Sequence, residues 1–166
     1  MACASYKSDG KFSLTKDVPY GDHERHRGDL YQSKDKNAPM VIIVHGGGWS
    51  GRSKDDMRLI AESLATNGFH VFNINYRLAP KHKHPAPIED LGLAIDFVSK
   101  NYEFKGDKVG LWGYSAGGHI TMLHALQNNN VAAIVAGGTP YDLSWYAHSP
   151  YIVPYLGFDL EGNIQF

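Results

Sequence analysis

The chain has 166 residues, 43% of them hydrophobic, which is enough for one buried core and too few for two generous domains. Sixteen basic against seventeen acidic side chains leave a formal net charge of −1, so no electrostatic footprint for nucleic acid or an anionic surface is present. The single cysteine, Cys3, excludes an internal disulfide framework and a cysteine-built zinc site, and no run approaches the roughly eighteen apolar residues that a membrane span needs.

Residues 1–38 are polar and turn-rich, the first 24 most of all, and Asp9-Gly10, Pro19 and Gly21 interrupt any long periodicity. One or two short strands are expected there, with the best candidate around residues 26–32. Ala2-Cys3-Ala4-Ser5 would also suit the start of a mature lipoprotein whose leader has been replaced, which leaves the compartment open between a cytoplasmic and an exported form. Beyond residue 38, short apolar runs alternate with amphipathic stretches, the signature of βαβ units and a mostly parallel sheet with helices on both faces. A single domain is therefore expected over residues 1–166.

Residues 40–44 form an aliphatic run of strand length that ends abruptly in His45-Gly46-Gly47-Gly48-Trp49. Ser53 with Asp55 and Asp56 suits a helix start, Met57, Ile60, Ala61, Leu64 and Ala65 recur at helical spacing, and Asn67-Gly68 suits its stop. Residues 69–75 read as the next strand, and Pro80 ends any ladder beyond it. A second helix starts near Pro87 and carries Ile88, Leu91, Ile95 and Val98 on one face. Residues 108–112 are a strand that runs into Gly113-Tyr114-Ser115-Ala116-Gly117-Gly118. Residues 120–126 then form an almost wholly apolar helix, implying burial on several sides. Residues 131–136 supply another strand, and from Gly137 onward loop with short helical turns is expected.

Acyl transfer by serine needs a hydroxyl on a rigid support beside donors that hold the developing oxyanion. Gly113-Tyr114-Ser115-Ala116-Gly117 fits the G-x-S-x-G elbow and falls where an aliphatic strand meets an apolar helix, the context that the motif requires. The competing reading is a glycine-rich turn in which Ser115 only caps the helix. The three glycines after residue 45 could turn backbone amides into a cavity, or could simply make a flexible loop. Neither glycine cluster matches G-x-x-x-x-G-K-[ST] or a dinucleotide fingerprint, so nucleotide binding is excluded and no cofactor is implied.

Three motifs taken together, 45–49, Asn75-Tyr76-Arg77-Leu78-Ala79-Pro80 with Pro85-Ala86-Pro87-Ile88-Glu89-Asp90, and 113–118, resemble the hormone-sensitive-lipase-like and feruloyl or acetyl esterase branch of the α/β-hydrolases, over roughly residues 25–145. The resemblance implies an α/β-hydrolase fold and a small-molecule ester substrate, an acyl ester of a short chain or of a sugar. It implies Ser115 as nucleophile and the amides of Gly47, Gly48 and Ala116 as the oxyanion hole. Arg77 and Asp90 then tie a loop to a helix. A neighbouring branch hydrolyses formamides, and the same residues are compatible with an arylformamidase.

In this fold the triad runs Ser, then Asp or Glu, then His, and the family places the last two after further strands. Only 51 residues follow Ser115 here, so the acid and base are expected to be missing, with Asp142 and His148 as weak substitutes. Without them the alternative is a non-catalytic binding or partner module. Asp159 is no better placed. His23, His26, His82 and His84 are expected to be solvated, with His82-x-His84 open to adventitious metal. His119 and His124 lack a zinc spacing, and His45 is expected to hold the glycine turn. Losing the last strands would leave residues 131–136 as a hydrophobic sheet edge, from which self-association is expected.

Overall fold

The computed structural model describes residues 5–7, 10–147 and 149–157. Among the described residues seven strands form one mixed sheet in the order β1-β2-β3-β5-β4-β6-β7. They are β1 (Ser5–Lys7), β2 (Phe12–Pro19), β3 (Arg27–Ser33), β4 (Met40–Val44), β5 (His70–Ile74), β6 (Val109–Tyr114) and β7 (Val131–Gly137). The pairs β1–β2, β2–β3 and β3–β5 are antiparallel, and β5, β4, β6 and β7 run parallel. Helices α1 (Arg58–Thr66), α2 (Ala86–Asn101), α3 (Ala116–Gln127) and the short α4 (Ile152–Leu156) complete the fold.

Strands β4 and β5 are almost entirely buried because helices cover both of their faces, which is why they read as continuous aliphatic runs. On one face, Leu30, Ile42, Val44, Phe72 and Leu111 pack against Leu91, Ile95, Val98 and Ile120 of α2 and α3. On the other, Tyr31, Ile43 and Val71 pack against Met57, Ala61 and Ala65 at the start of α1 and along it. The expected helical faces of α1 and α2 are thus those that are buried.

The N-terminal region holds more strand than its turn residues suggest. β2 escapes an alternation test because its pairing with β3 shifts between Thr15 and Val18, where Asp17 takes φ 55°. That bulge moves the inward side chains from one face to the other: Phe12 and Leu14 join the α1 layer, while Val18 and Tyr20 join the α2–α3 layer.

Helix α3 is apolar, yet its burial is confined to its N-terminal two turns and His124; Leu126 is 78% exposed. Strand β7 is the edge, paired among the described residues only with β6, and Ile134 and Val135 are 40% and 54% exposed. Beside it, on the α1 side, an apolar groove of about 630 Å³ runs between Leu64, Phe69, Trp112, Ala133 and Val135. The expected hydrophobic edge is present.

Candidate active site

β4 and β6 are parallel neighbours with Val44 opposite Gly113, so the turns that follow them leave the sheet side by side. This is the usual place for a site in an open parallel sheet, outside the carboxyl ends of the strands. An ideal Cβ on Gly46 would lie 3.2 Å from Ser115 Cβ, and one on Gly117 only 2.1 Å from the Val44 carbonyl. The two turns interlock so closely that neither position tolerates a side chain.

Ser115 occupies the junction of β6 and α3 with φ 52° and ψ −121°, a conformation costly for any residue with a Cβ. Its backbone is held on both sides: its N–H donates to the Gly137 carbonyl at 2.8 Å, and its carbonyl accepts from His119 N–H at 3.1 Å. The side chain makes no capping bond to α3, so the capping reading does not describe it. Gly47 and Gly48 also have positive φ, 111° and 57°, and Trp49 follows at 57°. The turn is fixed, not loose: the Gly47 carbonyl accepts from the amides of Ser50 and Gly51, and the Trp49 carbonyl from Ala79 N–H.

A cleft of about 600 Å³ opens over Ser115, walled by Gly46, Gly47, Gly48, Arg52, Tyr114 and Tyr151. A second hollow of about 210 Å³ shares Gly48, Ser115 and Tyr151 with the first and has Trp49, Pro140, Tyr146 and Ile152 as its further walls. Such an arrangement can seat a carbonyl between serine and turn, with one substituent in each hollow.

His45 holds the turn from within, as expected. Its ring is fully buried, stacked on Tyr76 at a centroid distance of 4.3 Å, and its Nδ1 lies 2.6 Å from the Gly46 carbonyl. Burial pushes the imidazole down to about 4, so it is neutral at physiological pH. The downstream end of the turn is anchored by Lys54, which sequence reasoning missed. Its buried ammonium lies 2.8 Å from Asp29 and 3.1 Å from Asp17 at the β2 bulge, and its carbonyl accepts from Asn73 Nδ2 at 2.7 Å.

The tie expected of Arg77 and Asp90 is present. Arg77 donates from its backbone N–H to Asp90 Oδ2 and from Nε to Oδ1, both at 2.7 Å, which pins the loop after β5 to α2. His26 was expected in solvent and is instead buried, with Nε2 2.9 Å from Asp90 Oδ1, because the turn after β2 packs under that loop. His23 and His82 are half-buried and their rings meet edge to face at 4.8 Å. Among the described residues no cluster of three metal-ligating side chains forms, at His82-x-His84 or elsewhere.

No imidazole among the described residues lies within hydrogen-bond reach of Ser115. Asp142 is fully exposed and its carboxylate is engaged in capping the 3₁₀ turn Leu143–Tyr146, accepting from Ser144 N–H at 2.9 Å and from its hydroxyl at 2.6 Å. Those two donors hold the Asp142 carboxyl below the usual carboxylate range. His148 and Asp159 lie outside the described residues. Sequence reasoning also missed Tyr151 and Tyr155, which return the C-terminal segment to the glycine turn. Tyr155 stacks on Trp49 at 4.4 Å, and Tyr151 lies against Gly48. Their i, i+4 spacing in Tyr151-Ile152-Val153-Pro154-Tyr155 was the available signal. His119, buried against Trp49 and Tyr155, is pushed down to about 4 by that burial.

Among curated proteins, a kynurenine formamidase of Meyerozyma guilliermondii is 35% identical over 127 residues, covering 75% of this chain and 46% of that protein. Carboxylesterase NlhH of Mycobacterium tuberculosis is 37% identical over 116 residues, covering 66% and 35% respectively. The chain therefore spans half or less of the length of these relatives. Esterase B from Lactobacillus rhamnosis superposes with a TM-score of 0.78 at 25% identity, over 93% of this chain and 57% of that one. A truncated form of a carbohydrate esterase from gut microbiota gives 0.65 at 27% identity, over 74% and 46%. The match to the BD-FAE family model extends over residues 29–144, from β3 to the start of the 3₁₀ turn, and on that extent the chain belongs to the BD-FAE family of α/β-hydrolases.

Proposed function

We propose that this chain carries the nucleophile half of a serine carboxylesterase acting on small or sugar-linked acyl esters. The observation that carries the reading is Ser115 itself: a positive-φ serine with no capping bond, locked at its backbone and set against a fixed turn of positive-φ glycines. Ser115 Oγ attacks the ester carbonyl carbon and gives its proton to a base. The carbonyl oxygen becomes an oxyanion held by the amides of Gly47, Gly48 and Ala116. Collapse breaks the bond to the alcohol, which leaves with that proton, and water then releases the acid from the serine. The base and its acid partner come from outside the described residues, and small-molecule esters are the only partners that the chemistry requires.

A second reading, hydrolysis of an aryl formamide, is favoured by the 35% identity to a kynurenine formamidase. It uses the same serine and turn and differs in the leaving group, an amine in place of an alcohol. A non-catalytic module predicts a serine without reactivity. The experiment incubates the chain and its Ser115→Ala variant with a fluorophosphonate probe, then with p-nitrophenyl acetate and N-formylkynurenine. Labelling that Ser115→Ala abolishes is the expected result, and the preferred substrate separates the first two readings. Silence in both proteins favours the non-catalytic module, and labelling that is equal in both sinks the assignment of Ser115.

A further inference from the structure

Arg25 lies in the turn between β2 and β3, ahead of residues 29–144 that match the family. Its half-buried guanidinium reaches three segments. Nε donates to the Tyr76 carbonyl at 2.7 Å, Nη2 donates to the Arg52 carbonyl at 3.1 Å, and Nη2 lies 3.4 Å from His45 Nε2. His45 and Arg52 stand at the two ends of the glycine turn, and Tyr76 stands at the exit of β5. Among the described residues no carboxylate pairs with this cation. A half-buried arginine whose partners are all neutral is held there by the geometry of its fork, which lysine lacks.

We propose that Arg25 is a positioning residue of the glycine turn: it fixes both ends of the turn against the exit of β5 and so aims the Gly47 and Gly48 amides at a carbonyl bound to Ser115. The proposal rests on the reading of that turn as the oxyanion hole. Donation from Arg25 makes His45 Nε2 an acceptor, so the ring hydrogen sits on Nδ1 and is given to the Gly46 carbonyl inside the turn. The ring is faced by the Arg25 cation, which opposes its protonation, by Asp55 and Asp56, which favour it, and by the stacked Tyr76. Burial is the larger influence that keeps the ring neutral; loss of the guanidinium frees the ends of the turn and removes the cation that adds to it.

The test replaces Arg25 with Met, which keeps the aliphatic stem, and with Lys, which keeps the charge but has one nitrogen for three acceptors. Three quantities are read on the intact chain: hydrogen exchange of the Ser50 and Gly51 amides, which the turn bonds to the Gly47 carbonyl, the NMR titration of the His45 ring, and the kinetics of fluorophosphonate labelling. Both variants are expected to exchange those amides at least about tenfold faster. In Arg25→Met the His45 midpoint moves to higher pH. The maximal labelling rate falls by about ten- to a hundredfold while the concentration for half-saturation is unchanged, as misaimed donors require. Native exchange rates together with an unmoved His45 midpoint overturn the proposal, and if Arg25→Met does not fold, the exchange rates of Arg25→Lys decide it. Labelling of the native chain that persists in Ser115→Ala defeats the oxyanion reading, whereas exchange and titration still report whether Arg25 holds the turn.

Discussion

His45 lies within the glycine turn and His119 on the first turn of α3, and burial pushes both from 6.5 to about 4. In the unfolded chain each ring takes up a proton below about pH 6.5, whereas the folded chain refuses it until about pH 4. Across that window the unfolded state binds two more protons than the folded one. Stability is therefore complete above about pH 6.5 and declines as the pH falls towards about 4. Each proton contributes a slope of about 1.4 kcal/mol per pH unit, so the two rings together give up to about 2.7 kcal/mol per unit in mid-window. Over the whole interval the loss is about 3 kcal/mol for each ring, against a total of roughly 5–15 kcal/mol for a typical domain.

His23, His84 and His124 are also lowered by burial and act in the same direction, so two protons is the least expected. The assay is urea unfolding followed by tryptophan fluorescence at several pH values between about 7.5 and 4.5, with the slope of stability converted to a proton difference. His119→Phe keeps an aromatic ring against Trp49 and Tyr155 while removing one titrating group, and should lower that difference by one. A stability that is flat across the window, or a His119→Phe slope equal to the native one, refutes the reasoning.

Gly117→Ala places a Cβ 2.1 Å from the Val44 carbonyl and 2.5 Å from that of His45, and should cost about 3 kcal/mol or more. In a thermal melt this lowers Tm by about 10 °C, and an unchanged Tm would mean that the two turns are not interlocked. The edge strand β7 presents Ile134 and Val135 to solvent with no charged residue among its seven, so the chain is expected to self-associate. Light scattering on Ile134→Lys and Val135→Lys should show a shift towards monomer, and a native chain that is already monomeric at high concentration contradicts this.

What the sequence disclosed followed from how each segment is buried. β4, β5 and α2 were legible because two-sided burial leaves an unbroken aliphatic run, and one-sided burial leaves a helical stripe. β2 was not, because the bulge at Asp17 exchanges the faces midway and destroys the alternation that marks a strand. His26 was taken for a surface residue because its partner, Asp90, lies 64 positions away and only the fold brings them together. Lys54 and Arg25 escaped for the same reason. A buried cation is identified by its acceptors, and these lie on β2, β3, the glycine turn and the exit of β5.

The two glycine motifs were ambiguous one at a time, and the structure explains why they gain meaning as a pair. Either motif alone is met by any sharp strand-to-helix turn. The register of β4 on β6 sets the ends of the two strands level, so one turn must leave room for the other. Gly46 is small because Tyr114 and Ser115 lie against it, and Gly117 is small because the backbone of Val44 and His45 does. The glycines thus record the approach of two backbones more than the freedom of either chain. That approach suits the proposed acyl-transfer site, which requires a hydroxyl and a set of amides set about one carbonyl on rigid supports. The same close packing places the control of the turn in residues that carry no motif. Arg25, His45 and Lys54 each hold an end of it through backbone carbonyls and buried ion pairs, contacts that leave no pattern along the chain.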